Sequence, residues 1–570
     1  YMYVKKYSVR GEGQKATYEH ATSWSLHPEE VASLVVPCFV NFQDKNGSQE
    51  RYWGRNPFKL NSEYAGIVVL ALAVFSFALF RKQKVFLFWV LMAIGALVYA
   101  LGASTPFFYL FYYLIPGVKI FRAPSMIMFW FAFSLIMLMI MGLDRLIKEW
   151  EKWPAKDINK IKKRVKIAII VTLSSAFIVT IGQGAVLGIW KALFVPSSLT
   201  LEKKLLNKSI NDLQYSELEN FIFKCTGEYK GRPTGQSPLM EQNYKNFIRG
   251  TWIAAILITL TLGALYFFLI KNITVSQLIY FLIIASLADL WYMNSNFIQT
   301  INKEEIFSKD NVISDLENRA KKDIFRVFEL PGTYPANRLG VWGIQSIMGF
   351  HDNEIRWYRE FKGGPSCENF MFRLKDGDYF NNPFLNLLNV KYIIGRQRGK
   401  GPVAFMENRG CMPRVFLLDK YEVIDSALIT QRLMEQNFDY KNIVLLEKEP
   451  PDFIKASPFD SIDSAKLGSV KIMEYNPNTY VINAQMARPG LLIVSDNYFP
   501  AWQAFVDGSQ SEIYRAYGTL RAVPLKQGSH KIEFKYSSKY INIGKKATLF
   551  SFLILLILGG ICGYKVVKKS

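Results

Sequence analysis

The stretch IPGVKIFRAPSMIMFWFAFSLIMLMIMGLDRL, residues 115–146, decides the class of this chain. Behind Arg122 and Pro124 runs an apolar segment that meets no charge until Asp144 and Arg145. As a helix rising about 1.5 Å per residue, it is long enough to cross about 30 Å of hydrocarbon. Pro124 suits the first turn of such a helix, where its missing N–H costs no bond. Arg122 admits two readings: an anchor that snorkels to lipid phosphate, or a bidentate receiver of a phosphate in a defined pocket.

Similar stretches lie near 64–80, 85–103, 167–190, 250–270, 274–292 and 547–566, so seven spans are expected with the one near 123–143. Residues 106–118, PFFYLFYYLIPGV, are apolar but too short to span. They read as a re-entrant or interfacial segment rich in headgroup-seeking aromatics. The chain is 50% hydrophobic and only 20% charged over 570 residues, with a mean hydropathy of +0.09. That balance predicts spanning helices joined to one large polar domain.

The net charge of +22 is compatible with nucleic-acid binding until its placement is considered. RKQK at 81–84, the segment 144–166 with nine Lys/Arg against four Asp/Glu, Lys271 and the closing KVVKKS fall on one side if the spans alternate. The positive-inside rule makes that side the cytoplasm. The charge then serves anionic lipid, and no zinc-finger, RNP or Walker pattern supports nucleic acid as a partner. The other side receives residues 1–63, the loop 191–249 and residues 293–545, with 546–570 as a final helix and cytoplasmic tail. Tyr1 does not read as a native start, and an upstream part is expected.

Residues 293–469 carry the strand-like DIFRVFELPG and NLLNVKYIIGR among helical segments, an α+β pattern. Residues 470–545 alternate as YVINAQM and SHKIEFKY, with turns at Asp507-Gly508, Gly518 and Gly528, which predicts a β-sandwich. Trp502 is expected to pack its core. In 191–249, Leu201, Leu205 and Leu213 suggest an interfacial helix. Cys38, Cys225, Cys367, Cys411 and Cys562 are scattered without a CxxC pair, which argues against a zinc site or disulfide scaffold and leaves room for one bridge.

Four places carry candidate chemistry. Residues 7–30 gather Arg10, Glu12, Glu19, His20, Trp24 and His27, suited to acid–base work or to a divalent cation. Within them, SLHPEE also reads as a helix start with Ser25 as N-cap and Glu29 and Glu30 in the first turn. RYWGRNPF at 51–58 brings Trp53 and two arginines to the membrane surface, for a sugar or headgroup or as part of an interfacial belt. Arg122 is the third, and Asp289, one turn from the end of a span, is the fourth. His351 and Asp352 form a weaker neighbour pair, and no metal ligand set or catalytic signature with a supporting context is found.

The segments YSVRGEG, ATSWSLHPEEVASLVVPCFV, RYWG, YAGIVVLAL, ALGASTPFFYLFYYLIPGVKIFRAP, ADLWYMN, LLNVKYII, SDNYFPAWQAFVDG, GSHKIEFKY and INIGKKATLFSFLI, in that order, resemble the bacterial membrane protein YfhO family. The resemblance implies a polytopic α-helical membrane protein of the bacterial plasma membrane, with a large extracytoplasmic α+β domain ending in a β-sandwich. It implies a GT-C type glycosyltransferase that moves a sugar from a polyprenyl-phosphate donor to a cell-envelope glycan. Such enzymes carry a catalytic Asp in their first outer loop; no position here matches it, and none is assigned. On this reading Arg122 and Arg10 receive the donor phosphate, and Glu19 or His20 orients the acceptor, with Trp24, Trp53 and Asp289 lining the site. A non-catalytic polysaccharide-binding membrane protein and a transporter are the alternatives, the latter lacking paired repeats around Gly182 and Gly184.

Overall fold

The computed structural model describes residues 2–8, 17–42, 51–56, 62–207, 210, 212–298, 300–349, 354–363, 379–396, 401–454 and 467–568. The chain divides into a helical unit, residues 16–302, and a strand-rich unit, residues 303–570 with the first fifteen.

Among the described residues six apolar helical runs are long enough to cross a membrane: Pro124–Lys152, Ala155–Ile181, Gly184–Leu206, Tyr244–Leu269, Val275–Asn294 and Lys539–Lys565. The expected seven are corrected in two places. The first two expected spans are helices of 14 and 17 residues, Ile67–Phe80 and Lys84–Ala100. At about 1.5 Å per residue they reach about 21 and 26 Å, short of the hydrocarbon thickness. Gly66 at φ +95° and Gly102 at φ +45° bound them. The expected span at 167–190 breaks at Gly182, which closes Ala155–Ile181 and opens Gln183–Phe194. Its helix starts earlier than expected because Lys and Arg in 155–166 are good helix formers.

Small residues set the closest approaches in the helical unit. A Cβ on Gly142 would sit 1.9 Å from Ser76 Oγ, so Ile67–Phe80 and Met128–Glu149 cross where side chains are least bulky. Val68, Leu72, Leu146, Val165, Leu265 and Leu278 fill the apolar centre between these helices and their neighbours.

Asp289 has a place in this packing. The helix at Ile67 follows Gly66, which has no side chain to cap it. Its first N–H groups are met from elsewhere: Ile67 N donates to Tyr64 Oη at 3.1 Å and Val68 N to Asp289 Oδ2 at 3.1 Å, while Tyr64 Oη donates to Asp289 Oδ1. An acid that neutralises orphan N–H groups at a helix N-terminus is well placed electrostatically.

Among the described residues the strand-rich unit holds three sheets. A five-stranded antiparallel sheet orders Gly468–Asn476, Thr479–Met486, Gly528–Tyr536, Trp502–Val506 and Ser509–Ser511. It faces a six-stranded sheet ordered Val415–Leu418, Gly490–Val494, Leu520–Leu525, Tyr514–Ala516, Ile443–Leu446 and Lys420–Val423. Tyr480, Ile482, Ala484 and Met486 point inward at every second position and meet Leu417, Leu492, Val494 and Val523. The second sheet is covered on its other side too, where Leu491, Ile493 and Ala522 meet Leu385, Ile429 and Leu433. It draws strands from both sides of residue 470, because Gly490–Val494 pairs with Val415–Leu418. A four-stranded sheet orders Gln345–Ser346, Arg326–Glu329, Val390–Arg396 and Val403–Glu407. Asp507-Gly508 and Tyr517-Gly518 all have positive φ and make the tight hairpin turns. Trp502 is half-buried and packs against the sandwich core, 5.0 Å from the Tyr480 ring. Cys38, Cys225, Cys411 and Cys562 are free thiols.

Candidate functional site at the loop end of the helical unit

Three short segments are laced together around Trp24. Thr17 caps the helix Tyr18–Thr22 by accepting His20 N at 3.2 Å. Tyr18 lies flat on Tyr109 at 4.2 Å, which fixes the helix Phe108–Leu114 of the expected re-entrant segment against it. Leu26 N donates to Ala100 O at 2.8 Å, and His27 Nδ1 lies 2.9 Å from Ser104 Oγ. Ala123 N donates to Ser23 O at 2.9 Å, and Ser125 Oγ to Trp24 O at 2.9 Å. These bonds hold Trp24 and Ala123 at φ +59°, a conformation uncommon for residues other than glycine.

The result places the Arg122 guanidinium 4.7 Å from the centre of the exposed Trp24 ring. Stacking engages the guanidinium face, whereas carboxylate or phosphate recognition engages its N–H edge, so the two uses are compatible. Glu19 is exposed and His20 half-buried on the helix just before Trp24. Arg122, Trp24, Glu19 and His20 therefore belong to one neighbourhood. Trp53 and Asp289 take other positions: Trp53 is buried against Phe39 and donates its Nε1 to Phe39 O at 2.8 Å, and Asp289 caps the helix at Ile67. Arg10, Glu12, His351, Asp352 and Cys367 lie outside the described residues. Among the described residues no three His, Cys, Asp or Glu side chains converge to hold a metal ion.

Sequence reasoning reads the two glutamates of PEE as helix-start residues and misses that both are buried acceptors. The helix Pro28–Ala32 forms as expected, but its N-cap is His27 rather than Ser25, because Pro28 takes the first helical position. Both acids are buried. Glu30 accepts from Tyr52 Oη at 2.8 Å, Asn56 Nδ2 at 3.0 Å and His27 N at 3.2 Å. Glu29 accepts from Arg55 N at 3.0 Å, with Arg55 Nε at 3.5 Å. Burial pushes the Glu29 carboxyl above its ordinary pKa, and the Arg55 charge opposes that shift. Burial and the Glu30 charge push the Tyr52 hydroxyl well above the usual phenol value, so it stays a donor. Arg55 also donates to Phe194 O at 3.0 Å and lies over the Phe221 ring. Asn56 Nδ2 also donates to Ser25 O at 3.2 Å, which ties this network to the segment that carries Trp24. Apart from His27, the acids' partners Tyr52, Arg55 and Asn56 lie more than twenty residues away, and neither motif alone signals the pairing.

Several membrane-length apolar helices and a separate sandwich-based unit define a multi-helix membrane protein with a β-rich domain. Residues 458–546, which span the five-stranded sheet and the start of the last helix, match the family described as Bacterial membrane protein YfhO, the family that the sequence resembles. No curated protein and no solved structure matches the chain.

Proposed function

We propose that this chain is a GT-C-like membrane glycosyltransferase that moves a sugar from a polyprenyl-phosphate donor to a cell-envelope glycan or polymer. One observation carries the reading beyond family resemblance: an arginine stacked on an exposed tryptophan at the mouth of an apolar helix, on the loop after an aromatic helix. A polyprenyl phosphate keeps its tail in lipid and its anion at the surface, where such an arginine meets it. In this account Arg122 binds the donor phosphate, Arg10 assists, and Glu19 or His20 orients the acceptor hydroxyl. Trp24 holds the guanidinium plane, while Trp53 and Asp289 support the loops from behind. The Lys/Arg-rich segments at 81–84, 144–166 and the C-terminus face the cytoplasm of a bacterial plasma membrane, and the strand-rich unit lies on the outer side. This alternation counts the short helices Ile67–Phe80 and Lys84–Ala100 as crossings of a locally thinned bilayer and lays Gly184–Leu206 along the outer surface.

The test is envelope composition in cells. Deleting the gene is expected to remove one sugar substituent from an envelope polymer, and complementation with the full gene to restore it. An envelope whose sugar content is the same with and without the gene contradicts the proposal.

A further inference from the structure

A second polar centre lies in the strand-rich unit, where its three sheets converge. Arg326 comes from the four-stranded sheet, Arg414 from the residue before Val415–Leu418, Asp496 from just beyond Gly490–Val494, and Arg521 from Leu520–Leu525. Asp496 accepts from Arg414 Nη2 at 2.8 Å and from Arg326 Nη2. Arg521 donates its Nε to Asn497 O at 2.9 Å and lies 4.1 Å from the Trp502 ring centre.

The charge does not balance. Three guanidiniums meet one carboxylate, and Arg414, Arg521 and Asp496 are each at most 5% exposed. Burial lowers the pKa of both Arg414 and Arg521, yet a guanidinium stays protonated in a protein and cannot shed its charge to escape burial. The hydrogen bonds are lopsided as well. Arg414 Nη2 serves Asp496, Gln345 Oε1 at 2.9 Å and the Tyr475 hydroxyl. Arg414 Nε and Nη1 and Arg521 Nη1 are buried with no hydrogen-bond partner among the described residues, as is one acceptor, Asp496 Oδ2, so unpaired donors outnumber unpaired acceptors three to one. A buried charge and a buried N–H are both costly without a partner. One carboxylate pinning the sheets together accounts for Nη2; it leaves the other two nitrogens of Arg414 unused.

We propose that this cluster is a binding centre for one oxyanion of the phosphate class, seated against Arg414 Nη1 and Arg521 Nη1. The half-buried Gln345, Tyr475 and Arg326 mark the side from which it is reached. The site is distinct from Arg122 and does not depend on the transferase reading. The anion is either free or part of a phosphodiester in a polymer or lipid, since both present the same oxygens.

Calorimetric titration of the full-length protein in detergent, at constant ionic strength in chloride, tests this with two probes: inorganic phosphate and dimethyl phosphate. Saturable binding of phosphate is expected, weakened about tenfold or more in Arg414→Lys, which keeps the charge and loses the planar fork. Binding of phosphate alone assigns the site to a free anion, and binding of dimethyl phosphate as well assigns it to a phosphodiester. Circular dichroism and gel filtration verify the fold of the variant; if it does not fold, Arg521→Lys takes its place. Absence of saturable binding by either probe to the unmodified protein overturns the proposal, as does equal affinity in a folded variant.

Discussion

Replacing Asp496 with alanine is expected to destabilise the strand-rich unit by about 3–5 kcal/mol, the usual cost of removing one partner from a buried ion pair. The cost arises from what remains: Arg414, Arg326 and Arg521 stay charged around a space with no carboxylate. Asp496→Asn is expected to cost nearly as much, since it keeps the shape and an acceptor but loses the charge. Burial pushes the Asp496 carboxyl up, and the three guanidiniums outweigh burial, holding it down at about 2 against an ordinary 3.8. On acidification the unfolded chain therefore takes up this proton first. The stabilisation is present above pH 3.8 and is lost as pH falls from 3.8 through about 2. Thermal unfolding in detergent is the measurement. A fall of roughly 10 °C in Tm at neutral pH, narrowing in acid, is expected. A fall of the same size at every pH would place the effect in packing rather than charge.

The second large effect is expected at Glu30. Its carboxylate is shared by Tyr52 Oη, Asn56 Nδ2 and His27 N, and Glu30→Ala leaves all three donors facing one buried space. At roughly 1–3 kcal/mol for each buried group left unsatisfied, partly offset by water entering the space, a net loss of about 3 kcal/mol is expected. Glu30→Gln should cost less, because one oxygen still accepts and the Tyr52 hydroxyl can turn to accept from the amide. The comparison by thermal unfolding is informative. If glutamine and alanine are equally harmful, charge matters more than hydrogen bonding. If neither has an effect, the network does not hold the loop in place.

What sequence reading reached depended on the range of the signal. Hydrophobic run length exposed Met128–Glu149 and Tyr244–Leu269, and period-two alternation exposed Thr479–Met486 and Gly528–Tyr536, since both signals are local. Asp507-Gly508 was legible because two adjacent positive-φ positions have few sequence solutions. The break at Gly182 was not, since a glycine within an apolar run is tolerated as often as it ends a helix. The polar centres were harder. Arg122 stood out beside Pro124, but its partner Trp24 is nearly a hundred residues away. The cluster around Asp496 draws on positions 326, 414, 496 and 521, none of which belongs to a local pattern. Glu29 and Glu30 were read as helix-start residues, which they are; that both are buried follows only from the fold placing Tyr52, Arg55 and Asn56 over them.

The most direct measurement of the transferase account is sugar transfer from a polyprenyl-phosphate donor by the full-length protein in proteoliposomes, comparing the unmodified chain with Arg122→Ala at equal protein levels. The account predicts that KM for the donor rises about tenfold or more in Arg122→Ala, with a smaller change in kcat, because a phosphate contact made before the reaction contributes chiefly to binding. An unchanged KM and kcat in Arg122→Ala would contradict it.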